Sequence, residues 1–324
     1  MTCEIRWVFS FPGAQMKYTK PPLTFEEQAD LLLSRGIKAD RNRLVFRLKT
    51  VNYYRLSAYL YPFRARGGNT FQEKTTLDLV WKYYTFDRQL RLVVMDAIER
   101  VEIAVRTQLI YHFVHRHGVF GYADMANLPK LDKERFNKWL EDMKEETSRS
   151  KETFINHFNK KYGDYNKLPP LWMLAEIMSF GKMLTLFNGA DDELRRVIAR
   201  EYSIEDKVLQ SWLGALNVIR NICAHHGRLW NRELGFKPMI PRGYKHKQWH
   251  EPVEVANNRL FAILTILEYM RKKIAPTSGW NNRLKELFIR YPEIPSELMG
   301  FPQNWEQSKI WSDCGEWGDK NYEF

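Results

Sequence analysis

The chain has 324 residues, of which 44% are hydrophobic and 14% aromatic, so it can fill the core of one large or two modest globular domains. Fifty Lys and Arg against 39 Asp and Glu leave a formal net charge of +11, which favours phosphate-rich partners without identifying one. Three scattered cysteines, Cys3, Cys223 and Cys314, argue against a disulfide framework and a CxxC zinc site, and they fit a cytoplasmic protein.

Neither a membrane segment nor a secretory signal is expected. The most apolar stretches, 171–187 and 260–270, are too short or too interrupted by polar residues to span a bilayer. The first fifteen residues include Glu4 and Arg6 and lack a continuous apolar run ahead of a cleavage site. Met16 is an alternative start.

Helical patterning begins near the N-terminus with legible start and stop signals. Thr24 and Glu27 form a capping box, in which the Thr hydroxyl accepts a hydrogen bond from a first-turn amide and Glu27 reaches back. Gly36 is a typical residue to end that short helix, and Asp40 predicts the N-cap of the next one. Two short helices joined by a turn also fit a DNA-binding helix-turn-helix, but the lack of a distinct recognition face disfavours it.

A turn-rich break at 64–69 separates an N-terminal helical region, 1–70, from a main helical domain predicted over 71–275. The main domain opens with a long helix over about 77–115, where apolar residues recur at helical spacing and require a large partner surface. Further helices are predicted at 131–147, 150–161, 170–188, 191–202, 204–226 and 252–273.

Convincing strand alternation is scarce, so the sequence predicts an all-α helical bundle. The remaining residues, 276–324, form a C-terminal extension. We expect this extension to pack on the bundle through its tryptophans, Trp280, Trp305, Trp311 and Trp317.

One short string carries the chemistry. Residues 220–232 read Arg-Asn-Ile-Cys-Ala-His-His-Gly-Arg-Leu-Trp-Asn-Arg, at the end of a predicted helix. Cleaving RNA without a metal requires a base for the 2′-hydroxyl, an acid for the leaving oxygen and a cation for the phosphorane. Arg220 suits bidentate contact with phosphate oxygens, and His at position 225 is the residue type most used as a general acid and base. Asn221 shares the face of His225, and Gly227 is predicted as C′, with both His in the last turn.

Two interpretations of this string remain open on the residues alone. In one, the Arg, Asn and His groups form a catalytic site. In the other, they only satisfy carbonyls and a salt bridge at a helix end. The long predicted helix offers a related choice, because Glu99, Glu102 and Arg106 lie at i, i+3 and i+7 on one polar stripe. That stripe predicts either an ordinary Glu102–Arg106 pair or a set of groups that orients Arg220 or His225.

Other polar clusters carry weaker signals. The segment 242–250 mixes aromatics with cations, including Lys245 and Lys247, and is either an RNA-contacting loop or simply an exposed basic loop. Histidines at 112, 115 and 117 lack a nearby carboxylate or Cys, so the sequence predicts no metal site. No cofactor is predicted, because phosphate-loop, nucleophile-elbow and HExxH motifs do not occur.

The spacing of Arg220 and His225 matches the R-x4-6-H signature of the HEPN superfamily of helical ribonucleases. The longer string resembles the version carried by the Abi family, the abortive-infection phage-resistance proteins. This resemblance extends over most of the chain and includes the runs at 21–37, 52–59, 86–91 and 98–106.

The resemblance implies a HEPN-like bundle that acts as an endoribonuclease in phage defence or a toxin system. Arg220 and His225 would be the catalytic pair, supported by Asn221 and His226, with Arg228, Arg232, Lys245 and Lys247 binding RNA. It also implies a symmetric homodimer whose two motifs share one cleft, since one chain supplies a single motif. An antitoxin or another defence partner is expected as well. The alternative is a module that binds nucleic acid or protein without cleaving it.

Overall fold

The structure is a computed structural model that describes residues 21–312. Cys3, Met16, Cys314 and Trp317 lie outside the described residues. Within 21–312 the chain forms α-helices and short 3₁₀ turns, with two isolated β-bridges and no strand. The predicted all-α class is therefore confirmed.

The α-helices are α1 Phe25–Ser34, α2 Arg41–Val51, α3 Tyr53–Leu60, α4 Leu77–His117, α5 Lys133–Arg149, α6 Thr153–Tyr162, α7 Leu171–Ile177, α8 Phe180–Gly189, α9 Asp192–Glu201, α10 Asp206–Ala224, α11 Leu260–Ile274 and α12 Trp280–Arg290. Among these described helices, none combines the length and apolar character that crossing a membrane would require.

Two helix predictions were wrong. The helix expected over 170–188 is broken, because Met178 leaves the helical conformation and Ser179 caps α8 by accepting from the Lys182 amide at 3.4 Å. The helix expected over 252–273 begins only at Leu260, after an irregular stretch of backbone.

The described part of the chain divides between residues 81 and 82 into two compact units. In the first unit the predicted caps are present. Thr24 Oγ1 accepts from the Glu27 amide at 3.1 Å, and Glu27 Oε2 accepts from the Thr24 amide at 2.7 Å. Gly36 follows α1 with φ of 96°, and Asp40 caps α2 through the Arg43 amide at 2.8 Å. Local sequence signals therefore set the ends of these helices.

The second unit is organised around long, largely buried helices. In its part of α4, buried residues repeat at helical spacing, including Phe86, Leu90, Ile98 and Val105. α10 packs against α8, α9 and α11. α11 is buried on almost every side, which is typical of a helix at the centre of a core.

The predicted docking of the C-terminal extension on the bundle is confirmed for Trp280 and Trp311. Trp280 is fully buried, and its Nε1 donates to the Val93 carbonyl on α4 at 2.7 Å. Trp311 donates from Nε1 to Thr265 Oγ1 on α11 at 3.1 Å. Each indole satisfies its polar group while burying a large apolar surface.

Candidate functional site

α10 has one buried face and one open face. The buried face carries Trp212, Leu216, Ile219 and Cys223, each at most 5% exposed and spaced three or four residues apart. Arg220 is half-buried, and the residues that follow the last buried position reach solvent. The amphipathic pattern therefore anchors the helix and leaves its C-terminal end accessible.

A Schellman turn closes α10. The His226 amide donates to the Cys223 carbonyl at 3.0 Å, and the Gly227 amide donates to the Ile222 carbonyl at 2.8 Å. His226 takes the left-handed conformation with φ of 58°, which makes it the C′ residue. His225 is the C-cap. The prediction that Gly227 would be C′ is therefore wrong.

Space explains why Gly follows His226. A Cβ on Gly227 would lie 3.2 Å from Ile222 Cγ2 and 3.3 Å from the Ile222 carbonyl oxygen. The left-handed backbone at His226 costs about 1–2 kcal/mol for an L-residue, and His is among the types enriched there. As a result, His225 and His226 stand just beyond the last helical turn, and both are exposed.

Arg220 lies five residues before His225, about 1.4 helical turns, and its guanidinium is accessible to an anion. Its Nη1 donates to Asn221 Oδ1 at 3.5 Å, which is a long hydrogen bond. In the part of the chain that the structure describes, no carboxylate oxygen lies within 4.0 Å of the Arg220 guanidinium. A planar guanidinium that no carboxylate neutralises is suited to bind a phosphate group.

The polar stripe of α4 faces this end of α10. Arg106 forms an ion pair with Glu102, and Arg106 Nη2 also donates to the Met178 carbonyl at 3.0 Å. Burial raises the pKa of the Glu102 carboxyl, while the positive charges of Arg106 and Arg220 act to lower it. Glu99 is exposed, and its negative charge also acts to raise the pKa of the Glu102 carboxyl. The ordinary Glu102–Arg106 pair is therefore present, and Glu102 also lies within the field of Arg220, while its role in orienting Arg220 or His225 stays a prediction.

Sequence reasoning missed a second contact between α4 and the motif. Asp87 is fully buried, and its Oδ1 accepts the amides of Leu229 and Trp230 at 3.0 and 2.7 Å. Its Oδ2 pairs with Arg91, which also donates to the Gly227 carbonyl at 3.3 Å. This group, named here the Asp87 clamp, fixes the backbone directly after the two histidines.

The signal for the Asp87 clamp was present in the sequence. Asp87 and Arg91 are four residues apart and share a helical face with Val94 and Ile98, both of which are buried. Two charged residues on the apolar face of a helix predict a buried pair that serves a structural or functional need.

Cys223 sits beneath the motif, close to the Asp87 clamp. Burial raises the pKa of its thiol to about 12, while the charge of Arg91 acts in the opposite direction. Cys223 is therefore a protonated core side chain at neutral pH.

The structure distributes the predicted RNA-binding cations along the length of α10. Arg228 and Arg232 follow the motif, and Arg232 Nε donates to the Arg228 carbonyl at 2.9 Å. Lys245 and Lys247 belong to a loop near the opposite end of α10, where Trp249 packs on Trp212 with ring centroids 5.2 Å apart. The two groups are thus separated rather than gathered at one point.

Chemically, the end of α10 offers an exposed imidazole and a guanidinium open to an anion. Together these can exchange a proton and neutralise a phosphate. Among the described residues, no group of three or more His, Cys, Asp or Glu is arranged to hold a metal ion.

Comparison with known proteins adds one finding. The model of a family described as "Abi-like protein" matches residues 47–231, which include the long helix α4, the Asp87 clamp and the motif at the end of α10. No curated protein and no solved structure matches the chain.

Proposed function

Because the chain belongs to the family of Abi-like proteins, abortive-infection phage defence is its indicated role, and we propose that it acts there as a metal-independent endoribonuclease. The observation that carries this proposal is that an exposed His225 and an Arg220 open to an anion stand at the same end of α10. The proposed setting is the cytoplasm.

In the proposed reaction, His225 takes the proton from the 2′-hydroxyl of the RNA. The 2′-oxygen attacks the adjacent phosphorus, forming the new P–O bond as the bond to the 5′-oxygen breaks. Arg220 neutralises the charge that develops on the phosphorane oxygens, and an acid protonates the leaving 5′-oxygen. The products are a 2′,3′-cyclic phosphate and a 5′-hydroxyl.

The neighbouring residues have supporting roles in this proposal. Asn221 contacts Arg220 directly, and the Glu102 carboxylate attracts the same guanidinium from α4. Both are positioning residues, because they act through Arg220. His226 and the Asp87 clamp fix the backbone around His225.

We place the second histidine of the acid/base set on another copy of the chain. An apolar groove of about 450 Å³, lined by Ile103, Tyr111 and Trp172, opens beside Arg106. All three apolar side chains are roughly half exposed. Apolar surface next to the candidate site supports a homodimer in which two His225 residues serve one cleft.

Light scattering on the purified protein tests the homodimer. A dimer is expected for the native chain, and Trp172→Glu is expected to shift it toward the monomer. Tyr165→Glu is the matched control, because Tyr165 is 93% exposed and lies outside the groove. A native monomer, or equal effects of the two substitutions, would contradict the dimer.

The ribonuclease is tested by incubating the protein with RNA in EDTA. Cleavage leaving 2′,3′-cyclic ends is expected, and both His225→Ala and Arg220→Ala should abolish it. His157→Ala is the control, since His157 is an exposed histidine on α6. Intact RNA under all conditions would refute the enzyme.

A defence toxin should also arrest growth when it is expressed, and His225→Ala should relieve that arrest. A silencing antitoxin would restore growth of cells that carry the native protein. The alternative, a module that binds without cutting, predicts weaker RNA binding and a shallower salt dependence for Arg220→Ala, with no product formed.

A further inference from the structure

The chain after Gly227 turns back along α10. The Phe236 ring covers Gly214, where an added Cβ would lie 3.2 Å from the ring. The Met239 amide then donates to Ser211 Oγ at 2.9 Å. The later residue of the returning chain, Met239, contacts the earlier residue of α10, Ser211, so the two segments run antiparallel.

The returning chain and the loop that follows it are strongly basic. Residues 228–250 contain six Arg or Lys and one acidic residue, Glu233. Five of these cations are exposed, and in the described part of the chain none has a carboxylate oxygen within 4.0 Å. We name this set the cationic track: Arg232, Lys237, Arg242, Lys245 and Lys247.

Exposed aromatic rings alternate with these cations. Phe236 is 47% exposed and lies between Arg232 and Lys237 in the sequence. Tyr244 is 84% exposed, and Lys247 Nζ sits 4.7 Å from the centre of its ring. Cations interleaved with open aromatic faces suit unstacked bases better than a closed duplex.

The cationic track has a defined length. It starts beside the motif and ends in the loop of Tyr244, Lys245 and Lys247, which directly follows Arg242; Arg242 lines a cavity of about 600 Å³ together with Glu205 and Glu254. These carboxylates repel phosphates and so mark the end of the track. From residue 208, which also lines the cavity, to residue 224 the helix rise gives about 24 Å. That is about seven nucleotides at a stacked spacing of about 3.4 Å, and fewer when the strand is extended.

We infer that the cationic track binds a single-stranded stretch of RNA, running from the Arg220–His225 end of α10 to the Tyr244 loop. The inference rests on the proposed function, since it defines the substrate class of the same site. It makes the enzyme selective for unpaired RNA that extends several nucleotides to one side of the scissile bond.

Fluorescence anisotropy with labelled 2′-O-methyl RNA tests this inference on the full-length native protein. These strands lack the attacking hydroxyl, so binding is measured without cleavage. Affinity is expected to rise steeply from 3 to about 7 nucleotides and to change little beyond that length. Duplex RNA of the same sequence is expected to bind at least about tenfold more weakly.

Two variants with matched controls locate the binding surface. Tyr244→Ala is expected to weaken binding about tenfold, because one stacked base is lost. Lys245→Ala with Lys247→Ala is expected to flatten the slope of log affinity against log salt by about 1.4, since two phosphate contacts are lost. The controls are Tyr162→Ala and Lys161→Ala on α6, where Lys161 Nζ lies 5.2 Å from the Tyr162 ring.

Several outcomes would overturn the inference. They are equal binding of 3- and 12-nucleotide strands, equal binding of duplex and single strands, no binding at all, or equal effects of the Tyr244 and Tyr162 substitutions. Because the probes cannot be cut, these results are independent of catalysis. A protein that cleaves RNA but shows no length dependence refutes the track alone, whereas length-dependent binding without cleavage refutes the ribonuclease alone.

Discussion

The Asp87 clamp predicts a large and specific loss of stability. Asp87→Asn keeps the shape of the side chain but removes the buried negative charge that faces Arg91 and receives the Leu229 and Trp230 amides. Breaking a buried ion pair from one side costs about 3–5 kcal/mol. For a unit of about 240 residues, a loss of about 3 kcal/mol lowers the melting temperature by roughly 6–12 °C.

Asp96→Asn is the matched control on the same helix. Asp96 pairs with Arg283 at 2.6 Å and with Arg100 at 3.4 Å, but its side chain is 29% exposed and those of Arg283 and Arg100 are 48% and 43% exposed. Solvent screens such a pair, so its loss is expected to cost no more than about 1 kcal/mol. Melting curves and urea titrations of both variants measure the difference. Equal shifts for Asp87→Asn and Asp96→Asn would refute the reasoning.

A double substitution separates stability from positioning. Replacing the whole pair, as Asp87→Leu with Arg91→Met, removes both charges and is expected to recover only part of the stability lost in Asp87→Asn, because the Leu229 and Trp230 amides then lack an acceptor. The backbone after His225 would still lack its anchor, so RNA cleavage is expected to stay low. Full recovery of cleavage in the double variant would show that the clamp only stabilises the fold.

Other predictions concern the motif and the core. His226→Gly should be more stable than His226→Ala by about 1 kcal/mol in urea titrations, because only Gly adopts φ of 58° without strain; equal stability would contradict the left-handed backbone. The Cys223 thiol, with its pKa raised from 9.0 to about 12, keeps a proton that the unfolded chain releases. The unfolding free energy should therefore fall between these two pH values by up to about 1.4 kcal/mol per pH unit. Cys223→Ala should remove that part of the slope, and an unchanged slope would contradict it. Trp311→Phe should cost about 1–2 kcal/mol by losing the hydrogen bond to Thr265 and part of the ring packing; a loss below about 0.5 kcal/mol would show that this bond is unimportant.

Local signals allowed much of the fold to be predicted. The caps at Thr24 and Asp40 are hydrogen bonds between residues three positions apart, so both partners can be recognised in the local sequence. The apolar residues of α4 likewise recur at helical spacing in the sequence itself, so the helix could be predicted from them. The break at Ser179 was missed because the apolar pattern continues through it, although a Ser before a helical run is a typical N-cap.

The candidate site was less accessible to sequence reasoning. Whether His226 or Gly227 takes the left-handed position depends on where the helix ends, and the spacing of Gly and His alone does not reveal it. The approach of Glu102 to Arg220 depends on how α4 and α10 pack, which periodicity leaves undetermined. The catalytic roles of Arg220 and His225 stay predictions.

The Asp87 clamp also shapes how this region can vary among related chains. Its carboxylate grips main-chain amides, and those amides exist whatever side chains stand at positions 229 and 230. Substitutions at positions 229 and 230 are therefore limited only by how the side chains pack. At position 87, no other amino acid has a carboxylate on a side chain of the same length. Saturation libraries should display this asymmetry as broad tolerance among apolar residues at 229 beside near-complete intolerance at 87.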